Sequence, residues 1–359
     1  MSRMTLAVAG GRKTQGIVEH CIAADSTKRI LVLTYTVANQ NELASRLALR
    51  APISASIEVQ GWFSFLLRHW IRPYLPRLFE RRVLRGLNFD GDPGRYATGE
   101  ARFLDDEGRA YKRHLARFAT EVDTASEGAV LDRLSRIYDR IWIDEVQDLN
   151  GYDLVVIERL MDAGIELEMV GDVRQAILQT NISDPKYKQY RGVDIKRWID
   201  NHVERGSLQL EYRSTTWRCN AAIAAFADRI FDETWGFEAT VSANEAVTEH
   251  DGVFAVDPAD AMAYFARFQP LCLRYSASSG STLELPFLNI GVAKGLERDR
   301  VLIVLTGTMK DFLAGRAQIP PTTSCSLYVA ATRARFSVAL VADQPEELGI
   351  PVWKPNELG

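Results

Sequence analysis

Cysteine and histidine are scarce and scattered in this chain. Its 359 residues include four cysteines, Cys21, Cys219, Cys272 and Cys325, and five histidines, none grouped. Disulfide frameworks and zinc sites need closer pairs, so reduced structural thiols of a cytoplasmic protein are expected. No apolar run is long enough to span a bilayer, so no membrane partner is expected. The short apolar stretch after Arg3 is interrupted at once by Arg12 and Lys13, which fits a buried first strand better than a secretory leader. Positive charge is not in excess either. With 43 Lys and Arg against 47 Asp and Glu, the net charge is −4. Any nucleic-acid contact therefore has to come from a local groove. Internal repeats and low-complexity segments are absent.

What remains is an ordinary globular composition, 47% hydrophobic and 25% charged. The length suits two domains. Apolar, β-branched runs recur at 6–10 (LAVAG), 29–36 (RILVLTYT), 140–145 (RIWIDE), 166–172 (ELEMVGD), 299–307 (DRVLIVLTG) and 336–343 (FSVALVAD), each followed by a helix-like stretch. Such alternation predicts an α/β fold with parallel sheets covered on both faces. A boundary near VERGSLQ (203–209) divides it into residues 1–205 and 206–359. Residues 66 to about 130 read as a mostly helical insertion in the first domain, passing through a polar turn, NFDGDPGRYATGE, into a charged helical stretch. It carries Arg68, Arg72, Arg77, Arg81, Arg82 and Arg85, interleaved with Trp70, Tyr74 and Phe79. That pattern suits a solvated amphipathic helix and a nucleic-acid patch about equally.

Two segments carry recognisable chemistry. The first strand runs into Gly10-Gly11-Arg12-Lys13-Thr14-Gln15 at a helix start. A glycine turn followed by Lys-Thr makes a phosphate cradle, in which Lys13 reaches the β- and γ-phosphates and Thr14 holds Mg²⁺. The strict pattern is not met, because Ala7 and Arg12 stand at its glycine positions, and a chance glycine turn would look similar. The second segment, Ile141-Trp142-Ile143-Asp144-Glu145, is an apolar strand ending in two acids. Asp144 can bind Mg²⁺ and Glu145 can activate water. A polar strand end meeting solvent is the plain alternative. Further on, Gln175 follows another strand and could sense a γ-phosphate.

Taken together, AGGRKT, LVLTYTVANQ, GWFSF, IWIDEVQD, MVGDVRQAI, LEYRST, VAKGLERDRV and LYVAATRAR resemble, in order, the motifs of the UvrD/Rep/PcrA group of superfamily 1 helicases. The resemblance runs from residue 7 to 335. It implies two RecA-like domains with ATP and Mg²⁺ in the cleft between them. It also implies Lys13, Glu145 and Gln175 as catalytic groups, with Arg213 and Arg333 as arginine fingers. Gly10, Gly11, Arg12, Thr14, Gln15, Tyr212 (stacking on adenine), Gly295 and Glu297 (at the ribose) would complete the nucleotide site. Thr34, Tyr35, Thr36, Trp62 and Phe63 would contact single-stranded DNA, the implied partner, with 3′ to 5′ polarity. Read without the resemblance, the arginines are ordinary salt-bridge formers and the aromatics ordinary core.

The chain also departs from the family pattern. It begins at the phosphate-loop strand, without the upstream segment that reads adenine. Ala176-Ile177-Leu178 stands where the family has a base-stacking aromatic, and Asn289-Ile290-Gly291-Val292 precedes AKGLE. The interval from EYRS to AKGLE is too short for the family's large accessory insertion. A minimal member is therefore expected, with its ATPase groups nearly complete. Its function is read as an ATP-dependent single-stranded DNA translocase or helicase whose unwinding is weak or requires a partner. The alternative is a nucleotide-dependent regulatory component of a nuclease-containing complex, of phage-defence or phage type, that does not unwind DNA. A scaffold that binds nucleotide without hydrolysing it is a third reading.

Overall fold

A computed structural model describes residues 2–51, 56–178, 180 and 184–355. The chain forms two compact units. One comprises Met1–Leu6, Lys13–Gly171 and Gln179–Glu211; the other comprises Ala7–Arg12, Asp172–Leu178 and Tyr212–Gly359.

The strands of the first unit are β1 (Ser2–Ala7), β2 (Arg29–Thr34), β3 (Ser56–Gly61), β4 (Gly86–Asn88), β5 (Arg109–Tyr111), β6 (Arg140–Ile143), β7 (Glu166–Gly171) and β8 (Leu208–Arg213). Six of them make a sheet in the order β3-β2-β6-β7-β1-β8. The neighbours from β3 through β1 pair in parallel. Helices α1 (Lys13–Ala23) and α2 (Val37–Arg50) place Ile17, Val18, Cys21, Leu43 and Leu47 against Ile30, Val32, Trp142 and Val170. This is the i, i+4 apolar spacing that makes one helix face sticky. The alternate residues Leu31, Leu33, Ile141 and Ile143 are also buried, so the sheet is covered on both sides.

Other helices of this unit are α3 (Trp62–Phe65), α4 (Arg72–Leu78), α5 (Leu115–Ala125), α6 (Ala129–Ile137), α7 (Tyr152–Asp162) and α8 (Ile195–Glu204). A π-helical stretch, Leu66–Ile71, joins α3 to α4. The insertion is less helical than its composition suggests. Residues 79–114 are loops, short turns and the β4–β5 pair, because Gly86, Gly91, Pro93, Gly94, Gly99 and Gly108 interrupt any helix there. Its arginine and aromatic residues are also partly committed. Trp70 is buried, Tyr74 donates to the Ala129 carbonyl, and Arg68 and Arg82 pair with Glu58 and Glu100.

The second unit has β9 (Thr215–Thr216), β10 (Val241–Ser242), β11 (Gly252–Val256), β12 (Leu271–Arg274), β13 (Leu288–Asn289), β14 (Arg298–Val304) and β15 (Ala334–Val341). Five of these form an all-parallel sheet in the order β11-β15-β14-β12-β13. Its helices are α9 (Ala221–Asp228), α10 (Ala261–Phe268), α11 (Gly307–Leu313) and α12 (Pro321–Ala331). Ala261 and Tyr264 of α10 pack with Val256, Cys272, Leu302, Val341 and Trp353, while α9 and α12 lie on β15. Both units thus have the expected α/β character.

Register decides what the first sheet presents. Leu6 of β1 lies opposite Gly171 of β7, Met169 of β7 opposite Ile143 of β6, and Leu33 of β2 opposite Ile143. Thr34 in turn lies opposite Gly61 of β3. Five parallel strands therefore end nearly level, at one carboxyl edge. In open parallel sheets that edge is where ligands bind.

Candidate nucleotide site and nucleic-acid face

Asp144 and Glu145 emerge from that edge at the end of β6. Asp144 is buried; its amide donates to the Leu33 carbonyl at 2.8 Å, and its Oδ1 accepts the Glu145 amide at 2.9 Å. Glu145 takes a left-handed backbone, φ 55°, which ordinary residues adopt only when their surroundings impose it. Two contacts impose it here. The Glu145 carbonyl accepts the Asp148 amide at 2.9 Å, and its carboxylate accepts a hydrogen bond from the Gln147 amide group. Gly171 leaves the room Gln147 needs, since a Cβ there would lie 2.4 Å from Gln147 Oε1. Among the described residues no group of three or more His, Cys, Asp or Glu could enclose a metal. The Thr14 hydroxyl and Asp144 carboxylate are hard oxygen donors. They fit Mg²⁺, which takes its remaining ligands from phosphate and water.

The glycine-containing loop after β1 turns through Gly10 at φ 73° and Arg12 at φ 53°. Its atoms are engaged by the 213–218 segment. The Val8 amide donates to the Arg213 carbonyl, the Trp217 amide donates to Gly10, and the Thr216 hydroxyl donates to Ala9. A Cβ on Gly10 would come within 2.6 Å of Arg218 Cβ, so glycine is required there by packing as well as by φ. Arg12 lays its guanidinium 3.7 Å from the centre of the Trp217 ring. Lys13, Thr14 and Gln15 open α1, whose first turn holds no acid to oppose a phosphate at its amides.

Arg12→Gly should change stability by less than about 1 kcal/mol. Relief of left-handed strain offsets the lost cation–π contact and the added freedom of glycine. Trp217→Ala, which only loses the contact, should cost about 0.5–1 kcal/mol. Urea denaturation of both variants checks this; a loss above about 2 kcal/mol in Arg12→Gly would show that Arg12 holds more than Trp217.

A buried chain of hydrogen bonds links further motif residues in the second unit. The Ala9 amide donates to the Tyr328 hydroxyl at 3.2 Å, and that hydroxyl donates to Asp172 Oδ2 at 3.0 Å. Gln175 donates through Nε2 to the same oxygen at 2.8 Å and accepts on Oε1 from Arg333 Nη2 at 3.0 Å. The two contacts fix which end of the Gln175 amide is oxygen. Burial pushes the Tyr328 hydroxyl well above its ordinary value, so it remains a donor. Arg333 is itself buried and also donates to the carbonyls of Val329 at 3.0 Å and Leu296 at 3.2 Å. Tyr212 and Arg213 are half-buried at the end of β8, and Gly295 turns at φ 90°. Glu297 is held by two arginines, Arg218 at 2.8 Å and Arg335 at 2.7 Å. Burial raises its carboxyl, but those two cations hold it below the usual carboxylate range.

The expected nucleic-acid residues divide. Tyr35 and Phe63 meet edge to face at 5.7 Å and are both half-buried. Thr36 caps α2 by accepting the Asn39 amide. Thr34 is buried, its hydroxyl without a hydrogen-bond partner among the described residues. Trp62 differs from expectation. It is 1% exposed and its indole N–H donates to Asp153 at 2.6 Å, so its ring is a core element with no face open to a base. Adjacent helical residues point about 100° apart, and Trp62 takes the inward direction while Phe63 takes the outward one.

Burial pushes the Asp153 carboxyl up to about 6, against hydrogen bonds from Thr180 and Trp62 that lower it. Since its ordinary value is 3.8, the folded chain binds this proton more tightly than the unfolded one. Stability should fall as pH rises from about 4 to about 6, by on the order of 3 kcal/mol from this group. Asp153→Asn should flatten that part of the pH–stability curve; an unchanged curve would assign the dependence elsewhere.

Sequence reasoning passed over Asp172, Trp217 and Tyr328, although Asp172 and Tyr328 lie inside quoted motifs. Only their long-range partners reveal them.

Comparisons with known proteins agree with these motifs. Residues 112–188 match the UvrD/REP helicase N-terminal domain. An ATP-dependent helicase/nuclease subunit from Lactococcus lactis subsp. lactis is 29% identical over 139 residues. That stretch covers 38% of this chain and 11% of the relative, so the chain spans only about a tenth of that protein's length. Among solved structures, an arterivirus nonstructural protein 10 (helicase) aligns over 97% of this chain and 61% of its own, with 12% identity and a TM-score of 0.48. The same viral protein solved with DNA aligns over 97% and 62%, with 14% identity and a TM-score of 0.49. The matched domain segment and the partial relative support the likeness of this chain to the UvrD-like superfamily 1 helicases.

Proposed function

We propose that this protein hydrolyses ATP to move along single-stranded DNA in the 3′ to 5′ direction, in the cytoplasm, with duplex unwinding that is weak or depends on a partner. The observation that carries the reading is the level carboxyl edge of the first sheet. There β1 leads to Lys13 and Thr14, β6 to Asp144 and Glu145, and β2 and β3 to Tyr35 and Phe63. Hydrolytic and strand-binding groups thus issue from one rigid element, with β1 and β6 about 10 Å apart across β7.

In this reading Lys13 and the first turn of α1 hold the terminal phosphates, with Gly10, Gly11 and Arg12 shaping the approach. Tyr212 stacks on the base, and Gly295 and Glu297 meet the sugar; Gln15 lies beside the loop. Thr14 and Asp144 hold Mg²⁺, which supplies charge neutralisation on the phosphate oxygens. Glu145 orients the attacking water and accepts its proton. Gln175 senses the γ-phosphate, and Arg213 and Arg333 offset charge on the transferring group. Thr34, Tyr35, Thr36 and Phe63 meet the strand through phosphate contacts and stacking, which tolerates any sequence.

Strand displacement on duplexes with a 3′ or a 5′ single-stranded tail tests polarity and self-sufficiency. Displacement of 3′-tailed substrate only, or only on addition of a partner, supports the proposal; preference for 5′ tails contradicts it. A second reading, a nucleotide-dependent regulatory component of a nuclease-containing complex, is favoured by the partial relative being part of a helicase/nuclease. It predicts ATP turnover that single strands do not stimulate.

A further inference from the structure

The insertion places two residues on the aromatic surface of the first unit that no motif assigns. Phe89, just beyond β4, is 60% exposed and meets Phe63 edge to face at 6.2 Å. Phe63 in turn meets Tyr35, so three rings run in a row, Tyr35–Phe63–Phe89. The Lys112 ammonium stands 5.5 Å from the Phe63 ring and 5.8 Å from the Phe89 ring. No carboxylate among the described residues forms an ion pair with Lys112, whereas its neighbour Arg113 pairs with Asp92 at 3.4 Å.

From this juxtaposition we infer that Phe89 and Lys112 extend the strand-binding face into the insertion, Phe89 stacking on an unpaired base and Lys112 meeting an adjacent phosphate. The inference rests on the proposed action on single strands. A large exposed aromatic costs hydration and contributes little to packing, but it offers the sequence-tolerant stacking surface that a single strand needs. A cation over that ring, with no acid neutralising it, complements the phosphate that follows a stacked base. A duplex keeps its bases stacked on one another, so the pair distinguishes single strands from double ones. Phe89 emerges from the β4–β5 pair rather than a flexible tail, which keeps its ring aligned with Phe63.

The test uses the full chain and fluorescence anisotropy with labelled oligothymidylate, oligouridylate and a blunt duplex. Phe89→Ala should weaken single-strand binding about tenfold and leave duplex binding unchanged. Lys112→Gln should lower the slope of log affinity against log salt by about 0.7. Phe89→Trp should restore affinity, and the new fluorescence should be quenched by the oligonucleotide, which keeps the test valid if Phe89→Ala folds poorly. Equal affinity of wild type and Phe89→Ala, or an unquenched Phe89→Trp, overturns this inference while leaving the strand-binding reading intact. Failure of the wild-type chain to bind either oligonucleotide overturns both.

Discussion

Glu145→Gln should bind ATP like the wild type and turn it over about 10²- to 10⁴-fold more slowly. The substitution keeps the volume and a hydrogen-bonding oxygen for Gln147, so the left-handed backbone at Glu145 has no new reason to relax. What it removes is the negative oxygen that, in the proposed mechanism, would take a proton from water as the bond to phosphorus forms. Asp144 is buried and accepts the Glu145 amide, a position suited to a metal ligand rather than to a base. Nucleotide affinity from fluorescent-analogue titration, beside steady-state turnover, separates the two roles. Wild-type turnover in Glu145→Gln would mean that another group is the base. Loss of binding in proportion to turnover would assign Glu145 to nucleotide binding instead.

Arg333→Ala should damage both turnover and the fold. As an arginine finger, Arg333 would act mainly in the transition state, so turnover falls more than binding. Its guanidinium is also buried, however, and serves three acceptors: the Val329 and Leu296 carbonyls and Gln175 Oε1. Alanine strands the Leu296 carbonyl and Gln175 Oε1 without a donor, while the Val329 carbonyl keeps the Thr332 hydroxyl. Each such group costs about 1–3 kcal/mol, so a total loss of about 3–5 kcal/mol is expected. Gln175 would keep only its contact to Asp172 and lose its fixed orientation. Arg333→Lys retains charge but not the forked donors, and should recover part of the stability and little turnover. Urea denaturation with ATPase assays on the folded protein tests this. Wild-type stability with lost turnover would make Arg333 a finger without a structural part. Reduced stability with unchanged turnover would remove it from the chemistry.

Much of this was legible in the chain because motif residues are local. A strand followed by Lys-Thr, or by Asp-Glu, announces itself within ten residues, and apolar β-branched runs predict parallel strands. What the sequence cannot carry is information that exists only after folding. The level edge depends on register, and nothing within β1 says that Leu6 will face Gly171 of β7. Trp62 and Phe63 are equally aromatic in GWFSF. Trp62 faces inward because Asp153, 91 residues later, takes its N–H. Arg12 reads as an intrusion into a glycine turn, yet it takes the left-handed backbone and lays its charge on Trp217, a partner two hundred residues away in sequence. The insertion misled in the opposite sense. Its arginine periodicity reads as helix, but glycines break residues 79–114 into the loop and strand pair that present Phe89.

The most direct test of the central claim is steady-state ATP turnover of the purified chain, with and without single-stranded DNA, beside Lys13→Ala. A nucleic-acid-coupled motor predicts turnover that rises strongly with the DNA and disappears in Lys13→Ala. Turnover that requires Lys13 but ignores DNA would contradict coupling and favour the partner-regulated component, and turnover that survives Lys13→Ala would contradict the site itself.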